Sequence, residues 1–121
     1  MSWWAWIVAG VLGGGAAVSR FLVDKWISTA AGGSLPVGTF VVNLSGALLL
    51  GLVDGLALSA TAAMLIGTAM IGSYTTFSTW MFETQRLRED GELLASMGNA
   101  LLSLLCGFGA IALGRYIGVN L

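Results

Sequence analysis

Four stretches of about twenty residues, 3–23, 37–58, 61–82 and 95–118, hold most of the apolar side chains of this 121-residue chain and only three of its eleven charges, Arg20, Asp54 and Arg115. At ~1.5 Å per residue, a helix of that length crosses the ~30 Å hydrocarbon core of a bilayer. A backbone in hydrocarbon must satisfy its own polar groups, so each stretch is expected to be helical. Charged residues are 9% of the chain, against about a quarter in a soluble domain. The sequence therefore predicts an all-α membrane protein with four transmembrane helices in one domain, 1–121. The segment 24–36, with Gly32-Gly33-Ser34 and the only proline, reads as a loop. Ser59-Ala60-Thr61 is so short a connection that segments two and three are antiparallel neighbours.

Histidine is absent and Cys106 stands alone. A His/Cys metal site, a Ser-His-Asp triad and an intrachain disulfide are thereby excluded. Nor is there a basic patch for nucleic acid. Trp3, Trp4 and Trp6 read as an interfacial anchor. No basic run precedes them, so the first segment is expected to be retained as a helix. With four spans both termini share one side. Arg20, Lys25, Arg86 and Arg88 fall on the other side and only Arg115 on theirs, which predicts termini outside.

Polar residues inside the apolar segments carry the functional information. In Gly72-Ser73-Tyr74-Thr75-Thr76-Phe77-Ser78-Thr79-Trp80, six of nine residues bear a hydroxyl. Such a run can break a membrane helix, which is tolerated only where the backbone is buried in protein or lines a wet cavity. It can equally fill a close helix interface with small residues. Asn43 lies well inside segment two, where an unpartnered amide costs ~4–8 kcal/mol in a medium that cannot hydrogen-bond. It must therefore meet another helix or a permeating species. Thr39 and Gly46 share its face. Gly10 and Gly14 form a small-xxx-small pair in segment one. Arg20 either snorkels to the interface or ties helix ends together.

The run Thr75-Thr76-Phe77-Ser78-Thr79, with Gly38-Thr39-…-Val42-Asn43-…-Gly46 and Gly14-…-Arg20-Phe21, resembles the Fluc (CrcB-type) family of small fluoride channels over the whole chain. The resemblance implies a multi-pass protein of the cell membrane, with the third helix broken at midplane. It implies an antiparallel, inverted dimer with two pores that lets cytoplasmic fluoride leave passively. It further implies a structural Na⁺ at the dimer axis, held by backbone carbonyls at positions matching Gly72 and Thr75. Phe77 and Trp80 match two pore phenylalanines, and Asn43 a pore asparagine. Thr39, Ser78 and Thr79 join the polar lining, and Arg20 matches a structural arginine. Two features depart from the family: Trp80 replaces a phenyl ring, and 107–111, Gly-Phe-Gly-Ala-Ile, has no hydroxyl where a fourth-helix track is expected. A heterodimer with an inverted homologue therefore stands beside a homodimer.

Two other readings suit the composition. A small multidrug-resistance-type exporter also has four helices, but it needs a carboxylate in its first helix, and segment one has none before Asp24. A non-transporting assembly subunit leaves Asn43 and the hydroxyl run unexplained. A membrane enzyme lacks catalytic groups.

Overall fold

The computed structural model describes residues 1–121 and contains helices without strands. Helix α1 is Trp3–Ala31 and α2 is Val37–Leu56. The third span is divided in two. Its first half, α3, covers 60–74 and includes a π-helical stretch, Met64–Ile71. Its second half, α4, is Ser78–Glu89. The last helix, α5, is Leu93–Val119. Helices α1, α2 and α5 are each long and apolar enough to cross a membrane. Together α3 and α4 make up the fourth long helical segment, a broken one.

The first helix runs eight residues beyond its expected end at Val23. Residues 24–31 carry four polar side chains, Asp24, Lys25, Ser28 and Thr29, but they include neither Gly nor Pro. Their side chains bond at helical spacing: Ser28 Oγ donates to Asp24 Oδ1 at 3.1 Å, and Thr29 Oγ1 to the Lys25 carbonyl at 2.7 Å. The stop comes where the backbone needs a left-handed turn, at Gly32 (φ 66°) and Gly33 (φ 77°). The loop is thus 32–36 rather than 24–36. The charged stretch after segment three is likewise helical as far as Glu89, and the chain turns at Gly91, with φ 79°.

Helices α2 and α5 meet backbone to backbone. A Cβ on Gly51 would strike the Ile111 carbonyl, one on Gly114 the Leu48 carbonyl, and one on Gly118 the Leu52 carbonyl. With little hydrophobic drive between helices in lipid, contacts of this closeness hold them together. Gly10 and Gly14, by contrast, have nothing within 4 Å of where a Cβ would stand. In α1 it is Gly13 that packs, with Ser73 Oγ 3.0 Å from its Cβ position. Only 12 of the 121 residues are buried, so most of the apolar surface is left for lipid or for another subunit.

Candidate functional site

The irregular backbone of the third span is three residues long. Thr75 is extended (φ −79°, ψ 160°), and helical geometry returns at Phe77. The π-helical turns just before it widen the helix, a feature often found at functional sites. Gly46 on α2 makes room for the break, since a Cβ there would collide with Thr75 Cγ2.

Asn43 closes the break from the neighbouring helix. Its Nδ2 donates to the Thr76 carbonyl at 2.8 Å, and its Oδ1 accepts from the Thr76 N–H at 2.8 Å. One side chain thus satisfies both backbone groups of one residue, which answers the partner question that the sequence left open. The amide keeps one N–H beyond these bonds. Thr76 then caps the second half-helix: its Oγ1 accepts from the Thr79 N–H at 3.2 Å and donates to Thr79 Oγ1 at 3.1 Å. The carbonyls of Gly72 and Thr75 accept no backbone hydrogen bond within the chain.

Phe77, the N-cap residue of α4, and Trp80 within α4 lie one turn apart. Their rings meet edge to face, with centroids 5.6 Å apart and planes at 84°. Phe77 is 69% exposed. Trp80 instead turns toward α5, where its Nε1–H donates to the Asn99 carbonyl at 3.3 Å. Asn99 Nδ2 donates to Thr84 Oγ1 at 2.8 Å, and Thr84 Oγ1 donates to the Trp80 carbonyl at 2.8 Å.

A cavity of about 170 Å³ lies between α2, α4 and α5, lined by Asn43, Trp80, Ser103, Leu104, Phe108 and Ile111 among others. The Ser103 hydroxyl is buried without a partner. Sequence reasoning missed Ser103 because it looked for hydroxyls at 107–111. The signal was the stripe Asn99, Ser103, Gly107 at steps of four. No carboxylate lines this cavity.

The structure thus brings Asn43, Trp80 and Ser103 together, with Phe77 against Trp80. It places Thr39 elsewhere. The Thr39 hydroxyl is buried and faces Glu83, whose Oε1 also lacks a partner. A second, polar cavity of about 200 Å³ opens beside Glu83, walled by Ser34, Arg86 and Asp90. Thr79 is engaged with Thr76, while Ser78 is exposed. Arg20 takes no part in the one ion pair of the chain, which joins Arg115 Nε to Asp54 Oδ2 at 3.0 Å.

The family model "CrcB-like protein, Camphor Resistance (CrcB)" matches residues 6–115. The chain is 49% identical over 112 residues to a protein of Mycolicibacterium paratuberculosis named "Fluoride-specific ion channel FluC 2", covering 93% of this chain and 92% of that one. A Mycobacterium tuberculosis protein of the same name is 46% identical, at 93% and 89% coverage. A Symbiobacterium thermophilum protein named "Fluoride-specific ion channel FluC 1" is 39% identical over 120 residues, at 94% and 97%.

Proposed function

The chain belongs to the CrcB family of fluoride ion channels, and from that premise we propose that it is a passive, fluoride-selective conduit that lets cytoplasmic fluoride leave across the cell membrane. The observation that carries this reading is the cavity at the break. Fluoride is small and holds its water tightly, so a site that strips it must offer donors in place of water. The remaining N–H of Asn43 and the unpartnered Ser103 hydroxyl are such donors. An unsatisfied polar group in a dry place costs roughly 1–3 kcal/mol, and an arriving anion recovers that energy. Aromatic C–H edges of Trp80 and Phe77 extend the favourable lining, because ring edges are electropositive. Thr39 lies outside this cavity and would act nearer one mouth, beside Glu83.

The resident Na⁺ fits the chemistry of the break. The free carbonyls of Gly72 and Thr75 are neutral, hard oxygen donors. Two such ligands do not enclose a cation. A second copy related by a two-fold axis would double them, which suits an inverted dimer, whether of identical chains or with an inverted homologue. When bound, the cation would add positive potential beside the conduits. In this reading Arg20, which has no ion-pair partner in its own chain, is structural at the contact between subunits.

The test is fluoride efflux from liposomes that contain the purified chain, alone and with a co-expressed homologue, with chloride as control. Fast, fluoride-selective efflux in either preparation is the expected result. No fluoride efflux from both preparations overturns the reading.

A further inference from the structure

Glu83 lies one residue past the apolar stretch 61–82, on α4. Its Oε1 is buried and takes no hydrogen bond of ordinary geometry. Opposite it on α2 stands Thr39, which is 2% exposed and whose hydroxyl is equally without a partner. Helix α1 brings a second carboxylate, Asp24. That side chain is pressed onto α2, where a Cβ on Gly38 would strike Asp24 Oδ1, and Ser28 Oγ donates to the same oxygen at 3.1 Å. From α4 itself, Arg86 and Asp90 wall the polar cavity beside Glu83, with Ser34 from the loop. Ser34 Oγ in turn donates to Glu92 at 3.4 Å. Arg86 forms no ion pair with Glu83, since the chain's one ion pair is Arg115–Asp54. Helix α5 has no titratable side chain before Cys106.

A buried carboxylate oxygen with no donor, and with a second carboxylate nearby, favours a proton over a charge. Burial pushes the Glu83 carboxyl up and Asp24 adds to the push, while the Thr39 hydroxyl and Arg86 oppose it. Glu83 also stands at the end of a row of cavities. The cavity at the break shares Ser103 with an apolar cavity of about 290 Å³, lined by Phe40, Gly98 and Leu102 among others. That cavity shares Pro36 with the polar one at Glu83. The row leads from Asn43 to the charged end of the bundle.

We propose that Glu83 is a proton-binding site at the mouth of the anion path, where the carboxylate repels fluoride and the protonated acid admits it; the inference rests on the proposed function. A carboxylate is acceptor-only, whereas the acid has an O–H to donate. One proton thus removes a charge of the wrong sign and adds a donor of the kind that replaces fluoride's water.

The test is fluoride current through planar bilayers that contain the full chain, in the preparation that conducts. Neutral HF carries no current, so leak through lipid does not enter. From about pH 8 down to about pH 5, the range into which burial moves a carboxyl, the native current is expected to grow several-fold. Glu83→Gln stays neutral at nearly the same shape and should hold the higher current at every pH. Asp24→Asn removes the neighbouring charge and should move the midpoint of the rise to lower pH. Thr39→Val removes a hydroxyl that favours the carboxylate and should move the midpoint higher. If Glu83→Gln does not fold, these opposite shifts decide, because a merely structural role would move neither midpoint. A native current flat over this range, the same rise in Glu83→Gln, or a midpoint that neither neighbour moves overturns the inference while leaving the channel reading intact. Native bilayers without fluoride-selective current overturn the channel reading, and this inference with it.

Discussion

Asn43 and Ser103 carry one polar group each into the same cavity, yet they differ in what they hold. Asn43 is structural and chemical at once, because both ends of its amide bond Thr76. Asn43→Asp keeps the acceptor for the Thr76 N–H but sets a carboxylate oxygen against the Thr76 carbonyl. The unsatisfied carbonyl alone costs roughly 1–3 kcal/mol. The expected outcome is a sharp fall in fluoride efflux with a lower melting temperature, and native efflux would remove Asn43 from the path. Ser103 bonds nothing in the chain. Removing a buried, unpartnered hydroxyl is neutral or stabilising for the fold. Ser103→Ala is therefore expected to melt no lower than the native protein while conducting fluoride more slowly. A fall in both would mean that the hydroxyl serves the fold. The need for a partner at Asn43 was legible in the sequence, since a lone amide in an apolar segment demands one. That the partner is a backbone rather than a side chain was not legible, because any helix break offers such groups and no residue type marks them. Nor was the Trp80 N–H legible as spent on Asn99: the bond goes to a main-chain oxygen 19 residues away.

At the scale of the helices, apolar runs near twenty residues gave the four crossings, since bilayer thickness dictates their length. The ends were less legible. The glycines and proline at 32–36 led the whole of 24–36 to read as loop, whereas a helix stops only where the backbone requires it, here at Gly32 and Gly33. The hydroxyl run did mark the break, although the irregular backbone is confined to Thr75–Phe77. The glycine pair read as a packing motif, Gly10 and Gly14, touches nothing in the chain, and the close contact is between α2 and α5. Spacing identifies a small-residue stripe but not the helix that meets it. Gly51→Val and Gly114→Val each push a side chain into a facing carbonyl and are expected to destabilise by at least ~1–3 kcal/mol, read as lost monodisperse protein in detergent. Gly14→Ala meets open space and should melt like the native subunit. Equal tolerance at Gly51 and Gly14 would mean that α2 and α5 do not pack this closely.

The whole molecule is lopsided in charge. Apart from the Asp54–Arg115 pair, the charged side chains fall in 20–25 and 83–92, toward one end of the bundle. An inverted pair of identical chains would give each membrane face one charged end; a pair of unlike chains would not be bound to that balance. Gly72 tests the arrangement. It is exposed, and the nearest atom to its Cβ position is 3.9 Å away, so a side chain fits there. If the carbonyls of Gly72 meet their counterparts near a two-fold axis, Gly72→Cys in a Cys106→Ala background should form a disulfide-linked dimer on mild oxidation. Monomer alone after oxidation in membranes would place Gly72 away from such an axis. The break itself is held at Thr76 by a single amide that grips both backbone groups, so its interruption is not a loose hinge. As the passive conduit proposed above, the molecule would behave as a resistor, not a pump. The sign of its current belongs to the solutions on either side, and reversing the fluoride gradient across a liposome reverses the flow.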